Sequence, residues 1–347
     1  RRPAYALSIL IILIGLLSLA VKGGPSLGID FAGGIIMQVE LDEQVDTGQL
    51  SSVLEPQQLP SLVVQRFSGQ EGNHFLLRIS DQGLAPAQAR EAVQDSLEQA
   101  FGQDSFEILR LEMVGPKVGA DLRESALKAL FFALLFIAIY ISGRFEQKWF
   151  VSAFMAAGLA LGVYLLQLLA VPVGFLIAAA VLITLVLCWY LKLNYALGAV
   201  TALIHDMLIV VGIFSLLNRE FDLSIVAALL TIIGYSLNDT IIVFDRIREN
   251  LRSKILPTLA ETINKSINQT LSRTLITSGT TLLVVLALLF FGGGIINDFA
   301  FALTVGVLVG TYSSIYVASP VLLSFRPLEE DEEEEAESRT RPADQAG

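Results

Sequence analysis

The sequence predicts a polytopic α-helical membrane protein with one small α+β domain inserted after its first span. Three observations carry this. Of 347 residues, 54% are hydrophobic and 16% charged, against roughly 25% charged in an ordinary soluble domain. The apolar residues come in blocks near twenty long, the length at which a helix crosses about 30 Å of hydrocarbon. Between the first and second blocks lies a polar stretch, 23–122, with short alternating runs that suit strands.

The first block, 5–21, follows Arg1-Arg2 and lacks a small-residue cleavage site before Lys22. Further spans follow it, so an uncleaved helix is expected rather than a signal peptide. The chain does not open with Met, so a short piece is expected before Arg1. The expected organisation is a first transmembrane helix (1–22), the inserted domain (23–122), a transmembrane bundle (123–325) and an acidic tail (326–347). Seven more spans are expected at 126–142, 149–169, 173–191, 195–217, 223–244, 271–291 and 298–324, eight in all.

Within 23–122, strands are expected at 35–41, 62–67, 74–79 and 106–113. Helices are expected at 46–54, capped by Asp46 or Thr47, and at 86–101, with Pro86 in the first turn. A glycine-containing turn at 68–73 joins the middle strands. The order β-α-β-β-α-β is the ferredoxin-like pattern. The charged stretch between the spans ending at 244 and starting at 271 leaves two readings open, a helix on the inner membrane surface or a solvated connector.

The net charge of −11 is mostly local: 327–347 hold nine acidic residues and two Arg, contributing −7. That tail is expected to be disordered, since like charges repel and nothing apolar is left to bury. No basic patch points to nucleic acid. The single Cys188 rules out an intramolecular disulfide. Arg144, Lys148, Lys192, Arg246, Arg248 and Arg252 lie in segments on the side of the N-terminus, while the short loops opposite hold Arg219 and little else. The positive-inside rule therefore puts both termini in the cytoplasm and 23–122 outside.

Ionisable groups within spans cost at least about 2.5–3.5 kcal/mol each, so the few present are informative. His205 and Asp206 sit mid-span; Asp239 and Arg273 lie nearer the inner side of theirs. Thr231, Tyr235, Asn238 and Asp239 share one helical face, and Arg273, Thr277 and Thr280 share another. An acidic and a basic stripe at similar depth suit a pair across the bundle interior, either a proton relay or a structural ion pair. Asp206 is either structural or paired with His205 or Arg273, and a lone His such as His205 is more often a satisfied interior residue than a proton carrier. Ala302, Gly306, Gly310 and Ser314 form a small-residue stripe suited to close helix packing. There is no phosphate loop and no HExxH, and neither His has a metal-site neighbourhood, so no metal and no cofactor are expected.

Seven motifs in order carry a resemblance: GIDFAGG at 28–34, VGPKVGADL at 114–122, GRFE at 143–146, ALIHD at 202–206, IGYSLNDTIIVFDRIREN at 233–250, RTLITSGTT at 273–281 and SSIYVAS at 313–319. Together they resemble the SecF branch of the SecD/SecF family of protein-export subunits. The resemblance implies an RND-like helix bundle with a ferredoxin-like outer domain. It implies SecD as partner, joint action with the SecYEG translocon on exported unfolded polypeptides, and use of the proton motive force in the cytoplasmic membrane. It also assigns the proton-relay positions to Asp239, Asn238, Arg273, Thr277 and Asp206. Gly28, Asp30, Gly33, Gly34, Gly234, His205, Asp245 and Arg246 fall on family motif positions. One departure stands out: 46 residues, 147–192, separate GRFE from the helix carrying the His-Asp pair, where the family has only a few. They read as an extra helical hairpin, giving eight spans instead of six, for lipid-facing packing or contact with another subunit. The rival readings are an RND-type proton-driven transporter of a small or lipid molecule, an intramembrane aspartyl protease using Asp206 and Asp239, and a passive assembly factor.

Overall fold

The structure is a computed structural model describing residues 2–57, 59, 62–66, 73–80, 85–168, 171–253 and 257–324. The chain begins with α1 (Arg2–Lys22) and a single turn, α2 (Ile29–Ala32). The inserted domain follows as β1 (Gly34–Leu41), α3 (Thr47–Leu54), β2 (Val63–Arg66), β3 (Asn73–Ser80), α4 (Pro86–Phe101) and β4 (Phe106–Val114). The bundle continues with α5 (Pro116–Ile141), a π-helical turn (Ser142–Glu146), α6 (Trp149–Gln167), α7 (Val173–Tyr190) and α8 (Asn194–Leu216). It ends with α9 (Leu223–Arg252), α10 (Leu259–Phe291), α11 (Gly293–Ser313), a second π-helical turn (Ser314–Ala318) and α12 (Ser319–Val321).

Strand alternation builds the domain. Ile35, Met37, Val39 and Leu41 of β1 and Phe75, Leu77 and Ile79 of β3 point to one face, where Leu50 and Leu54 of α3 and Ala89, Val93 and Leu97 of α4 close the core. Asp46 caps α3: its carboxylate accepts from Gly48 N at 3.2 Å, while its own N–H donates to Gln49 Oε1 at 3.2 Å. The sheet is antiparallel in the order β2-β3-β1-β4, with a register shift at Gln38/Val39 against β4. This is a ferredoxin-like sheet with both helices on one face. The expected turn at 68–73 lies largely outside the described residues, as do Lys254 and the tail 326–347.

Among the described residues, eight helices are long and apolar enough to cross a membrane. At 30 and 33 residues, α9 and α10 exceed the roughly 20 that a bilayer needs, and the surplus corrects one expectation. The charged stretch after residue 244 is neither a surface helix nor a loose connector but the continuation of both helices beyond the apolar blocks. Ile247 and Ile263 are buried there, and Asn250 Nδ2 donates to Ser266 Oγ and Gln269 Oε1, each at 2.8 Å. An amphipathic seam lets two charged segments stay helical by packing on each other.

Small residues set the helix spacing. A Cβ on Gly306 would fall 2.3 Å from Ile232, and one on Gly310 would fall 3.0 Å from Ser236 Cβ, so the small-residue stripe of α11 seats α9. Gly15 of α1 and Gly212 of α8 face each other, each Cβ falling within 2.9 Å of the other backbone. The hairpin α6–α7 packs on α5 and α8. Its feet are clamped, with Lys148 Nζ donating to Leu191 O at 3.1 Å and Tyr195 N donating to Glu146 Oε1 at 2.8 Å.

The domain is rooted on the bundle through the GIDFAGG segment. Phe221 N donates to Ser26 O, Gly28 N donates to Phe221 O, and Leu223 N at the start of α9 donates to Asp30 Oδ2. Gly33 sits at φ 78° and Gly34 at φ 148°. Gly33 also lies against Pro116, and Gly119 of α5 lies against Phe31 O, so a Cβ at Gly33 meets both strain and the start of α5. On the sheet face away from α3 and α4, Arg78 pairs with Glu220 in the α8–α9 loop.

Candidate functional site

Asp206 lies halfway along α8 and is fully buried. Its Oδ2 accepts from Ser236 Oγ of α9 at 2.7 Å and from Ser313 Oγ of α11 at 2.8 Å. Its Oδ1 meets His205 Nδ1 at 2.9 Å, and His205 Nε2 lies 3.0 Å from Ser8 Oγ of α1. Ser8 Oγ lies 3.0 Å from Tyr312 Oη, which donates to Ala4 O at 2.7 Å. Of the alternatives for Asp206, the structure forms the pair with His205.

This line of contacts has a proton count. Asp206–His205, His205–Ser8, Ser8–Tyr312 and Tyr312–Ala4 each need one hydrogen. A neutral imidazole, one serine and one tyrosine supply three between them. All four contacts hold together only when the Asp206–His205 unit carries one further proton, on either residue. The line ties α1 to α8 and α11 through side-chain contacts.

Asp239 of α9 is also buried, and its Oδ2 accepts from Ser278 Oγ of α10 at 3.1 Å. Ser278 Oγ in turn accepts from Thr311 Oγ1 of α11 at 2.8 Å. Arg273 is exposed and attracts Asp239 only across space, with no ion pair between them among the described residues. The direct pair expected from the spacing is thus not formed. The face of α10 that meets α9 carries Thr274 and Ser278, and Arg273 points away from it. Thr277 is half-buried, its Oγ1 bonded back to Arg273 O at 3.0 Å. Thr231, Gly234 and Asn238 are exposed on α9, while Tyr235 is half-buried with its hydroxyl inside, so Asp239 sits at the inner edge of a partly exposed face.

Asp245 accepts from Arg144 Nη2 at 2.6 Å, and Arg246 donates to Glu249 at 2.8 Å, both pairs being exposed. Sequence reasoning missed Ser236, Ser278 and Ser313, the hydroxyls that hold the two carboxylates, and Ser8 and Tyr312. The three serines do lie in the quoted motifs, so their signal was position within a motif rather than charge.

The fold and the site define a class first: a multi-pass membrane protein with a ferredoxin-like insertion and two buried carboxylates in its helix core. The comparisons narrow it. The family described as "Protein export membrane protein SecD/SecF, C-terminal" matches residues 92–166 and 160–327, and the "SecD/SecF GG Motif" matches 18–45. The two larger pieces overlap inside α6, at residues 160–166. A protein translocase subunit SecF from Desulfurispirillum indicum is 40% identical over 333 residues, covering 94% of this chain and 90% of that one. One from Magnetococcus marinus is 40% identical over 330 residues, with the same coverage. A crystal structure of SecDF, a translocon-associated membrane protein from Thermus thermophilus, superimposes at TM-score 0.69 and 33% identity, covering 93% of this chain and 38% of that one. A second SecDF structure, in a super-membrane-facing form, gives 0.59 and 32%, covering 97% and 39%. The chain belongs to the SecD/SecF family, as a SecF subunit of protein translocase.

Proposed function

We propose that this subunit works with SecD and SecYEG to promote translocation of unfolded polypeptides across the cytoplasmic membrane, drawing on the proton motive force and catalysing no covalent chemistry. Both termini face the cytoplasm and the ferredoxin-like domain stands outside, as the arginine and lysine distribution favours.

One observation carries the reading. Thr231, Asn238, Arg273 and Thr280 are exposed on α9 and α10 at membrane depth, beside the buried Asp239. Arg273 and the Asn238 amide are costly against lipid, unlike Thr231 and Thr280, whose hydroxyls bond back to Ala227 O and Thr277 O, so a second membrane subunit covers this face. The chain spans 38% of the SecDF chain it resembles, which leaves room for such a half. Protonation of Asp239 removes the charge that draws Arg273 inward and weakens its bond from Ser278. The expected consequence is a shift of α9, whose first residue is bonded to Asp30 at the root of the outer domain. Proton movement in the membrane is thereby connected to movement outside. The protease reading loses ground because the two carboxylates have separate donors, Ser236, Ser313 and His205 for one and Ser278 for the other.

The test is protein export in vesicles lacking the native subunit and supplied with this chain and its matching SecD, with and without a proton gradient. Wild type is expected to export faster with the gradient. Asp239→Asn, assembled to equal level, is expected to lose that stimulation and keep the gradient-free rate. An equal response in both would make Asp239 a packing element.

A further inference from the structure

The α6–α7 hairpin contributes nothing to the buried carboxylates, yet it carries both of the chain's two tryptophans, Trp149 and Trp189. A groove of about 980 Å³ runs along it, lined by Phe150, Phe154, Met155, Leu159, Leu187 and Leu191 among other apolar residues. Gly158 also lines it, and a Cβ there would meet nothing within 4 Å. From residue 150 to 159 the groove follows α6 for about 14 Å, close to one leaflet of a hydrocarbon core about 30 Å thick.

The groove has a charged end. Lys148 Nζ lies 3.1 Å from Leu191 O and 3.4 Å from Lys192 O, beside the Leu191 that lines the groove. Neutral carbonyls hold this ammonium in place. Glu146 is the nearby acid: its Oε1 accepts from Tyr195 N, its Oε2 has no hydrogen-bond partner, and it attracts Lys148 across space without an ion pair among the described residues. Around the same end Trp149, Trp189 and Tyr190 are 48%, 62% and 75% exposed, as befits rings at headgroup level.

We propose that this groove binds an anionic glycerophospholipid, with one acyl chain along α6 and the phosphate on Lys148. The chemistry at the two ends matches that molecule: a slot without hydrogen-bonding side chains, one leaflet deep, closed by a cation at the polar boundary. A partner helix is the weaker occupant. The polar groups that need such a helix lie on α9 and α10, whereas α6 and α7 pack on α5 and α8.

The two tryptophans make the test direct. The full chain is reconstituted in phosphatidylcholine vesicles, and its indole emission is followed as dibrominated phosphatidylglycerol or dibrominated phosphatidylcholine replaces part of the lipid. The phosphatidylglycerol is expected to quench with about fivefold higher apparent affinity, the factor one lysine provides at an anionic lipid. Lys148→Gln is expected to bring the two curves together, Lys148→Arg to keep them apart, and Gly158→Phe to weaken quenching by both lipids. Coincident curves in wild type, or a preference that survives Lys148→Gln, would overturn the proposal. So would loss of quenching by both lipids when the partner subunit is reconstituted with the chain, since the groove would then be a protein interface.

Discussion

Ser278 is a small residue with a large share in the site, because its hydroxyl donates to Asp239 while accepting from Thr311. Removing it leaves a buried carboxylate without that donor, a loss of about 1.5–3 kcal/mol for a bond to a charged group. Ser278→Ala is therefore expected to lower thermal stability in detergent modestly and to reduce gradient-stimulated export, with Ser278→Thr restoring both. A variant that unfolds no earlier and exports as wild type would remove Ser278 from the site. The carboxylates themselves were legible in the sequence, since a charge inside an apolar block is conspicuous. Their partners were not. Helical spacing shows which residues share a face but not where that face points. Arg273 and Ser278 are five positions apart, about 140° around the helix, and the structure turns the serine, not the arginine, toward Asp239. Hydroxyls escape a search for charge because serine and threonine are common in spans, where they also bond back to the helix, as Thr277 does to Arg273 O.

Among the helices, the approach of α1 to α8 ties the first span to the buried carboxylate. Gly15 and Gly212 bring the two backbones together, and the same pair of helices is joined by Ser18 Oγ and Ser215 Oγ at 2.8 Å and by Ser8 and His205. A methyl on Gly212 would press on backbone, which cannot rotate away. Gly212→Ala is expected to cost about 1–3 kcal/mol through overpacking. It should also reduce oxidative cross-linking between cysteines placed at Ser18 and Ser215, because the helices must separate. Unchanged stability and cross-linking would mean that the helices slide rather than part. The stripe on α11 could be read beforehand because its four small residues repeat at helical spacing. Gly15 and Gly212 could not, since Gly15 stands alone in its span, Gly212 has only the distant Gly198 beside it in its own, and only tertiary structure sets the two face to face. That the charged stretch continues α9 and α10, rather than forming a separate surface helix or a connector, was not legible for a related reason. Charged residues suggest a solvated connector until Ile247 and Ile263 are seen to be buried together.

For the molecule as a whole, the architecture was largely legible, because block length marks spans and strand alternation marks the domain. The docking of one on the other was not, since it depends on single long-range contacts. The sheet face opposite the domain's helices meets the α8–α9 loop through Arg78 and Glu220. Arg78 is largely buried, and that burial lowers its pKa from the ordinary arginine value, while Asp222, Asp298 and Asp30 oppose the shift. Its charge persists across the physiological range, so the arginine does not switch this contact with pH, and any movement of α9 would pull against it. The domain can then be held by design. Arg78→Cys with Glu220→Cys places two thiols across the seam, and the native Cys188 is buried and remote from it in sequence. Without a cross-linker, the double variant is expected to keep gradient-stimulated export. A short bifunctional maleimide joining the two thiols should abolish the stimulation and leave gradient-free export in place. A single-cysteine control treated alike should behave as wild type. If the cross-linked protein still answers to the gradient, the domain does not move against the bundle during coupling. The connection from Asp239 through α9 to Asp30 would then end at the membrane surface.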